Sequence, residues 1–424
     1  MGKGYDASGC DHLCPLPFAL TTFPLYTSPT MHAFAILGSH PTLSLAEIAV
    51  VTDQRPSHTH NDVAIYENLD GNLIALCDRL GGTQKVGVII GSVAAWNHDE
   101  LATFLTSDLI TESAEGKIEF GISVYDGGDS KITENARRSA QGLGIEVKNR
   151  IKAQERSARY VISKAPTLSS VVVRKNHLID RGAEFVFIIT REEILIGKTV
   201  AVQNVDAWSE RDFGRPRRNA KQGMLPPKLA RMMVNLTGID VASSTIFDPF
   251  CGSGTILMEA ALLGAQALVG SDINGEATSD TEANLRWLQQ VGAGKLPPFK
   301  LFPKSAQTVA EDVVPNSIDA VVTETYLGRP RRGNETRQEV EDAVAYVANL
   351  YRESFSALLP TLKTGATLII AAPVHHIDGR DVAFDARTLL EPLGYTHSPL
   401  PYEPIVYHHK EQLVGRRIWR FIKN

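Results

Sequence analysis

The sequence has no run of about 20 apolar residues, the length a membrane-crossing helix needs, so no membrane is expected among its partners. Its most apolar early stretch, residues 14–26, is broken by Pro15, Pro17 and Pro24 and follows little positive charge, which does not read as a signal peptide. Cysteine is scarce. The four residues Cys10, Cys14, Cys77 and Cys251 are spaced neither as a disulfide framework nor as paired zinc ligands, and a reducing, cytoplasmic setting fits them. A basic surplus is also missing: 43 Lys and Arg face 48 Asp and Glu, for a net charge of −5. That excludes a protein that coats nucleic acid non-specifically, but leaves room for a local basic patch. No internal repeat is present. The pairs His375-His376 and His408-His409 are adjacent in sequence, and neighbouring side chains on a strand point to opposite faces, so no metal site is expected.

What is present is a soluble-type chain of 424 residues, 43% hydrophobic and 21% charged, long enough for two or three domains. Residues 1–30 have little periodicity and are expected to be a disordered extension. MHAFAILGSHPTLSLAEI, from Met31, predicts a strand and then a helix capped near Ser44, with Glu47 three residues on. This opens a small α+β domain over 31–115. A strand at 118–127, a helix at 132–154 and several strands, SSVVVRKN among them, predict a second α+β domain over 116–200. Residues 201–235 read as a basic linker followed by a helix. Over 236–424 strand and helix patterns alternate, which predicts a parallel sheet with helices on both faces.

FDPFCGSGTILMEAALLG (247–264) is a strand, a glycine-rich turn and a helix. Gly252 and Gly254 allow close backbone approach to a ligand, and the helix start offers free N–H groups. A second strand ends on Asp272, 18 residues after Gly254, near the spacing at which a carboxylate grips ribose hydroxyls. The third glycine of a dinucleotide fingerprint would fall at position 257, which is leucine, and no phosphate-cradling G-x-x-x-x-G-K-[ST] loop exists. Asp248, ahead of the turn, would repel a phosphate and suit a cationic head. S-adenosyl-L-methionine (SAM), with adenosine, a sulfonium and an ammonium, fits better than NAD or ATP.

These residues, with RDFGRPRRNAKQGMLPPKLARMMVNL before them and SDIN after, resemble the THUMP-domain RNA methyltransferases. The nearest type is the tRNA guanosine-10 N2-methyltransferases. The opening strand and helix, FGISVYDG and VYHHKEQLVGRRIWRFI extend the resemblance from Met31 to the end. It implies an α/β fold: a Rossmann-like SAM-dependent methyltransferase domain, preceded by ferredoxin-like (31–115) and THUMP-like RNA-binding (116–200) α+β domains. Carried over by position, Asp248, Gly252 and Gly254 line the methionine part of SAM and Asp272 holds the ribose, with Phe250 and Ile273 as further cofactor-binding residues. Ser305-Ala306 stand where the family has an acid near the adenine. The implied partner is tRNA or another structured RNA. A monomer is expected, with a small activating protein partner left open.

The family's catalytic segment is Asp/Asn-Pro-Pro-Tyr. Here the residues are Thr323-Glu324-Thr325-Tyr326-Leu327-Gly328. Glu324 aligns with the acid, both prolines are gone, and Tyr326 falls one place early. The motif's chemistry is positioning: acceptors orient the N–H bonds of an exocyclic amine, and an aromatic ring stacks on the base. Glu324 and Tyr326 are therefore the expected catalytic residues. Arg329, Arg331 and Arg332 beside them suit phosphates flanking a flipped base, and Arg211, Arg215, Arg217, Arg218 and Lys221 form a second basic cluster, also expected to bind RNA. The expected function is SAM-dependent methylation of a tRNA guanine N2. The altered loop keeps two alternatives open: another RNA or base, such as adenine N6, and a SAM- and RNA-binding protein without catalysis.

Overall fold

The computed structural model describes residues 21–22, 30–112, 116–218, 224–291, 294–408 and 412–424. Most of the expected extension at 1–30 lies outside them, as do Cys10, Cys14, Lys221 and His409. The chain forms two compact units that interleave in sequence. The larger takes the described residues within 29–88, 169–175 and 199–424, and the smaller those within 1–28, 89–168 and 176–198. The units are not consecutive blocks of sequence.

In the smaller unit, strand Ile118–Asp126 pairs in parallel with Ala158–Val161 and with Gly182–Ile189. The last of these pairs antiparallel with Ile194–Val202, from Phe185↔Lys198 to Ile189↔Ile194. Helix Ser130–Ala153 buries Ala136, Ala140, Leu143, Val147 and Ile151, a stripe at the spacing of one helical face. Asp129 caps it by accepting from the Ile132 amide at 2.9 Å. The buried Lys198 is neutralised by Asp108 at 2.6 Å and by Glu112.

The larger unit carries strand Thr30–Leu37 between Val63–Asp70 and Thr83–Val93, antiparallel to both. Its first helix is Pro41–Thr52, with proline in the first turn. The expected cap at Ser44 is therefore one turn too late. The Ser44 hydroxyl donates instead to the His40 and Gly82 carbonyls. Glu47 is buried, accepting from the amides of Gly81 and Gly82 at 2.8 Å and from Asn235 Nδ2 at 2.7 Å. Val171–Val173, expected in a strand, lie in the short helix Ser170–Lys175; tertiary context overrides β-branched propensity there. The stretch expected as loop holds helix Val205–Ser209 and a π-helical turn, Glu210–Gly214.

The second sheet of this unit positions the candidate site. Strands Phe299–Phe302, Ala267–Ser271, Thr245–Asp248, Ile318–Glu324 and Leu362–Ile377 lie side by side in that order, all parallel. Val414–Lys423 and then Tyr395–His397 add antiparallel strands at one side, so the sheet is mixed where an all-parallel one was expected. Adjacent residues alternate faces. Ile246, Ile369 and Ile418 join one core, and Phe247, Ile370 and Trp419 the other. The chain leaves strand Thr245–Asp248 toward one edge and returns on its other side with Ile318–Glu324. Such a reversal opens a crevice at the carboxyl ends of the two strands, the usual ligand position in this architecture.

Candidate functional site

A cavity of about 680 Å³ occupies that crevice, within the usual range for small-molecule sites. Asp248, at the end of its strand, is 2% exposed. Its Oδ1 accepts from the Thr323 hydroxyl at 2.7 Å and from the Phe250 amide at 3.1 Å. Burial pushes its carboxyl up to about 7, against these two hydrogen bonds, and the negative charges of Asp272 and Glu324 add to the rise.

The turn is held from inside and behind. Gly252 has φ 52° and open space where a Cβ would be, and its amide donates to Asp272 Oδ2 at 3.0 Å. Gly254 has φ 84° and begins helix Thr255–Leu262. A Cβ there would meet Thr281 Cγ2 at 2.7 Å, so this glycine is required by packing; it does not itself line the cavity. From helix Gly275–Gln290, Thr281 donates to the Gly252 carbonyl at 2.8 Å and Asn284 to that of Ser253 at 2.9 Å. Asp272 is locked by the Gly252 amide and by that of Asn274 at 2.9 Å. Ile273 lines the cavity with 80% of its surface exposed, an apolar side chain awaiting cover. Ser305 and Ala306 complete this wall.

On the other side lies the loop after strand Ile318–Glu324. Glu324 and the 41% exposed Tyr326 both line the cavity. Glu324 is not a solvated strand-end acid: its side chain is 15% exposed and accepts from Arg416 Nε. Burial raises its pKa while Arg416 opposes the rise. Gly328, at φ 96°, turns the loop over the buried His375. Two hydroxyls that line the cavity or its floor, Thr325 Oγ1 and Ser354 Oγ, are buried without a protein partner. Such atoms are rare in folded proteins and call for a ligand or water.

The charge of the lining is one-sided. Asp248, Asp272, Glu276, Asp280 and Glu324 contribute carboxylates, and among the described residues no lysine, arginine or histidine lines the cavity. This wall repels phosphate and attracts a cation. An apolar exposed Ile273, a carboxylate fixed beside it and a buried acid across the turn fit an adenosine-bearing cationic ligand such as SAM.

The arginines divide. Arg211 is committed to Glu259 at 2.7 Å and to the Ala207 carbonyl, with its guanidinium 4.1 Å from the Trp208 ring centre. Arg215 is 3% exposed, donates to the Thr255 hydroxyl at 2.7 Å, and is pushed down to about 10 by burial. Arg331 donates to the His376 carbonyl at 2.7 Å and pairs with Glu335 at 3.3 Å. For these three the expectation of phosphate contact is corrected: they hold the turn, the linker and the loop in place. Arg217, Arg218, Arg329 and Arg332 are exposed. Among the described residues no group of three or more His, Cys, Asp or Glu is arranged to hold a metal.

Sequence reasoning missed Thr323, Ser354 and Arg416. Arg416 left one signal, a charge set within the apolar strand VGRRIWRFIK; the buried hydroxyls left none.

Comparison with known proteins gives the site a setting. Residues 215–295 match the RMKL-like methyltransferase domain. The chain is 33% identical over 192 residues to tRNA (guanine(10)-N2)-dimethyltransferase of Methanothermobacter thermautotrophicus, covering 45% of this chain and 48% of that one. It is 27% identical over 255 residues to the enzyme of the same name from Pyrococcus abyssi, covering 59% and 66%. The chain thus spans about half to two thirds of the length of these curated relatives. Among solved structures, TrmN from Thermus thermophilus superposes with a TM-score of 0.52 at 14% identity, covering 93% of this chain and 100% of that one. At that identity the likeness is one of fold, the mixed α/β Rossmann-like arrangement of methyltransferases.

Proposed function

We propose that the chain is a SAM-dependent RNA methyltransferase acting on an exocyclic amine, guanine N2 of a tRNA. The observation that carries this reading is the all-acidic cavity at the switch point of the sheet, with Glu324 and Tyr326 at its edge. The names of the relatives point the same way. Asp248, Phe250, Gly252, Asp272, Ile273, Ser305 and Ala306 hold the cofactor, while Gly254 shapes the turn. When bound, SAM would supply an electrophilic methyl: an N–C bond would form as the C–S bond breaks, with S-adenosylhomocysteine as leaving group and the amine's proton passing to water. Glu324 accepts from an N–H of the amine, directing the nitrogen lone pair toward the methyl. Tyr326 is exposed where a base can stack on it. Arg217, Arg218, Arg329 and Arg332 meet RNA phosphates. A cytoplasmic setting agrees with the substrate, with the buried, unpaired Cys77 and Cys251, and with a helix inventory in which, among the described residues, none is long and apolar enough to cross a membrane.

One feature favours a second reading. The loop lacks both prolines of the motif it resembles, and its acid is tied to an arginine. Adenine N6 or another RNA is then the target, or the chain binds SAM and RNA without transfer. Incubating the protein with labelled SAM and unmodified total tRNA separates these readings, with Glu324→Ala in parallel. Label in N2-methylguanosine, lost in the variant, supports the proposal. Label in another nucleoside moves the target, and SAM binding without label in any RNA overturns the enzymatic reading.

A further inference from the structure

Glutamate is one methylene longer than the aspartate of the motif, and no proline stiffens the Thr323–Gly328 loop. An acceptor placed on so free a side chain would be poorly oriented unless something else fixed it. Arg416 stands where that can be done. It belongs to strand Val414–Lys423, opposite Pro373 on one neighbour and Tyr407 on the other. It is 6% exposed, its Nε donates to Glu324 Oε1, and its Nη1 reaches Gln412 Oε1 at 3.4 Å. The pair consumes one oxygen of the carboxylate and leaves Oε2, on a side chain that lines the cavity.

We propose that Arg416 is a positioning residue of the candidate site: it fixes the Glu324 side chain with one carboxyl oxygen engaged and the other free, a single acceptor for one N–H of the target amine. This rests on the methyl-transfer reading above. A planar guanidinium suits the task because it holds a carboxylate in a defined orientation, which an ammonium does less well. The groups that face Glu324 come from four elements: Arg416 from its own strand, Asp248 from the neighbouring parallel strand, Tyr351 from helix Arg337–Leu358 and Tyr407 from strand Ile405–Tyr407. Of these four, Arg416 is the cation. Without it, Glu324 is left buried near another acid, a setting that favours the protonated form, which donates where the reaction needs an acceptor.

The test uses the full chain with Arg416→Gln, Arg416→Lys, Glu324→Gln and the double variant Glu324→Gln/Arg416→Gln. The first readout needs no activity. A carboxyl raised above its unfolded value contributes stability below the unfolded pKa and loses it as pH rises. Removing Arg416 raises Glu324 further. The Tm deficit of Arg416→Gln against wild type should therefore widen from pH 5 to pH 8, and stay constant when Glu324→Gln is the background. A deficit that is the same at both pH values would mean that Arg416 merely packs, and would overturn the proposal. The second readout is methyl transfer to tRNA. Arg416→Gln should lose about 100-fold in kcat, with SAM and RNA affinities within about threefold and partial rescue by lysine. A kcat within threefold of wild type overturns the positioning role. Should Arg416→Gln fail to fold, Arg416→Lys reads both quantities with the same sign and smaller size. If wild type transfers no methyl to any RNA, the acceptor role falls with the functional reading, while a widening deficit still supports Arg416 as the group that opposes protonation of Glu324.

Discussion

Two neighbouring parallel strands end in buried acids, Asp248 and Glu324, and the two ends are built on different plans. The turn after Asp248 is local. Its acid is bonded to the amide two residues on, its glycines take left-handed φ values, and the next helix but one supplies the props. The loop after Thr323 borrows from a distance: its acid is fixed by an arginine 92 residues away and its turn rests on His375. The electrostatics differ accordingly. Among the described residues no cation sits on Asp248, and it is pushed up to about 7, as a group awaiting a positive ligand would be. Glu324 has its cation already. On the proposed reading, one acid binds charge and the other presents an oriented oxygen.

The largest expected break in that comparison comes from removing each acid. Glu324→Ala should lower methyl transfer by about 1,000-fold while leaving SAM affinity within about threefold, since positioning of an amine is lost and the cofactor wall is intact. Asp248→Ala should do the reverse, weakening SAM binding by about 100-fold, the loss of a buried charge-assisted contact. Calorimetric titration of SAM and single-turnover transfer, run on both variants, check this; equal effects on both quantities from both variants would erase the division of labour.

The same division explains what could be read from the sequence. The strand–turn–helix at 245–262 and Asp272 are legible because each contact lies within a short, patterned segment. So are the helices Gly275–Gln290 and Arg337–Leu358, whose periodicity marks them. The π turn at Glu210–Gly214 is not, because it depends on Arg211 reaching Glu259 on another helix. Arg215 reads as one more cation in a basic run, yet burial against Thr255 and the sulfurs of Met224 and Met258 makes it structural. Glu47 looks like the third residue of a cap, and Pro41 moves the helix start so that it points inward. Pro41 apart, the deciding partner is remote in sequence, and local pattern carries no record of it.

Two intermediate effects sharpen the local plan. Gly254→Ala forces a left-handed φ on alanine and a Cβ against Thr281, and should cost about 2–3 kcal/mol of stability, read as a fall in denaturation midpoint; the same change at Gly252, where a Cβ meets nothing, should cost less. On the proposed reading, Asp248 should make cofactor binding pH-dependent. A cationic ligand favours the ionised acid, so SAM affinity should be flat just above pH 7 and fall about tenfold per unit below it. Asp248→Asn should flatten the profile, since its Oδ1 can still accept from Thr323 and Phe250. With the charge gone, it should also raise the Tm of the unliganded protein at pH 8 more than at pH 5. A pH-independent wild-type affinity would remove Asp248 from the site.

The smallest effect concerns the arginines that flank the borrowed loop. Arg329 and Arg332 are exposed, whereas Arg331 is spent on the His376 carbonyl and Glu335. If the exposed pair meets phosphates, changing both to alanine should reduce the slope of log affinity for tRNA against log salt by about 1.4–1.8, each lost contact contributing about 0.7–0.9. The protein's Tm should not move. Arg331→Ala should do the opposite, lowering Tm with little change in the salt slope, because its guanidinium never reached solvent-borne charge. Filter binding across a salt series, paired with thermal melts, distinguishes the two. A slope change from Arg331→Ala as large as that from the exposed pair would mean that the loop opens when RNA arrives and releases that arginine. The fixed geometry around Glu324 would then belong to the RNA-free protein alone.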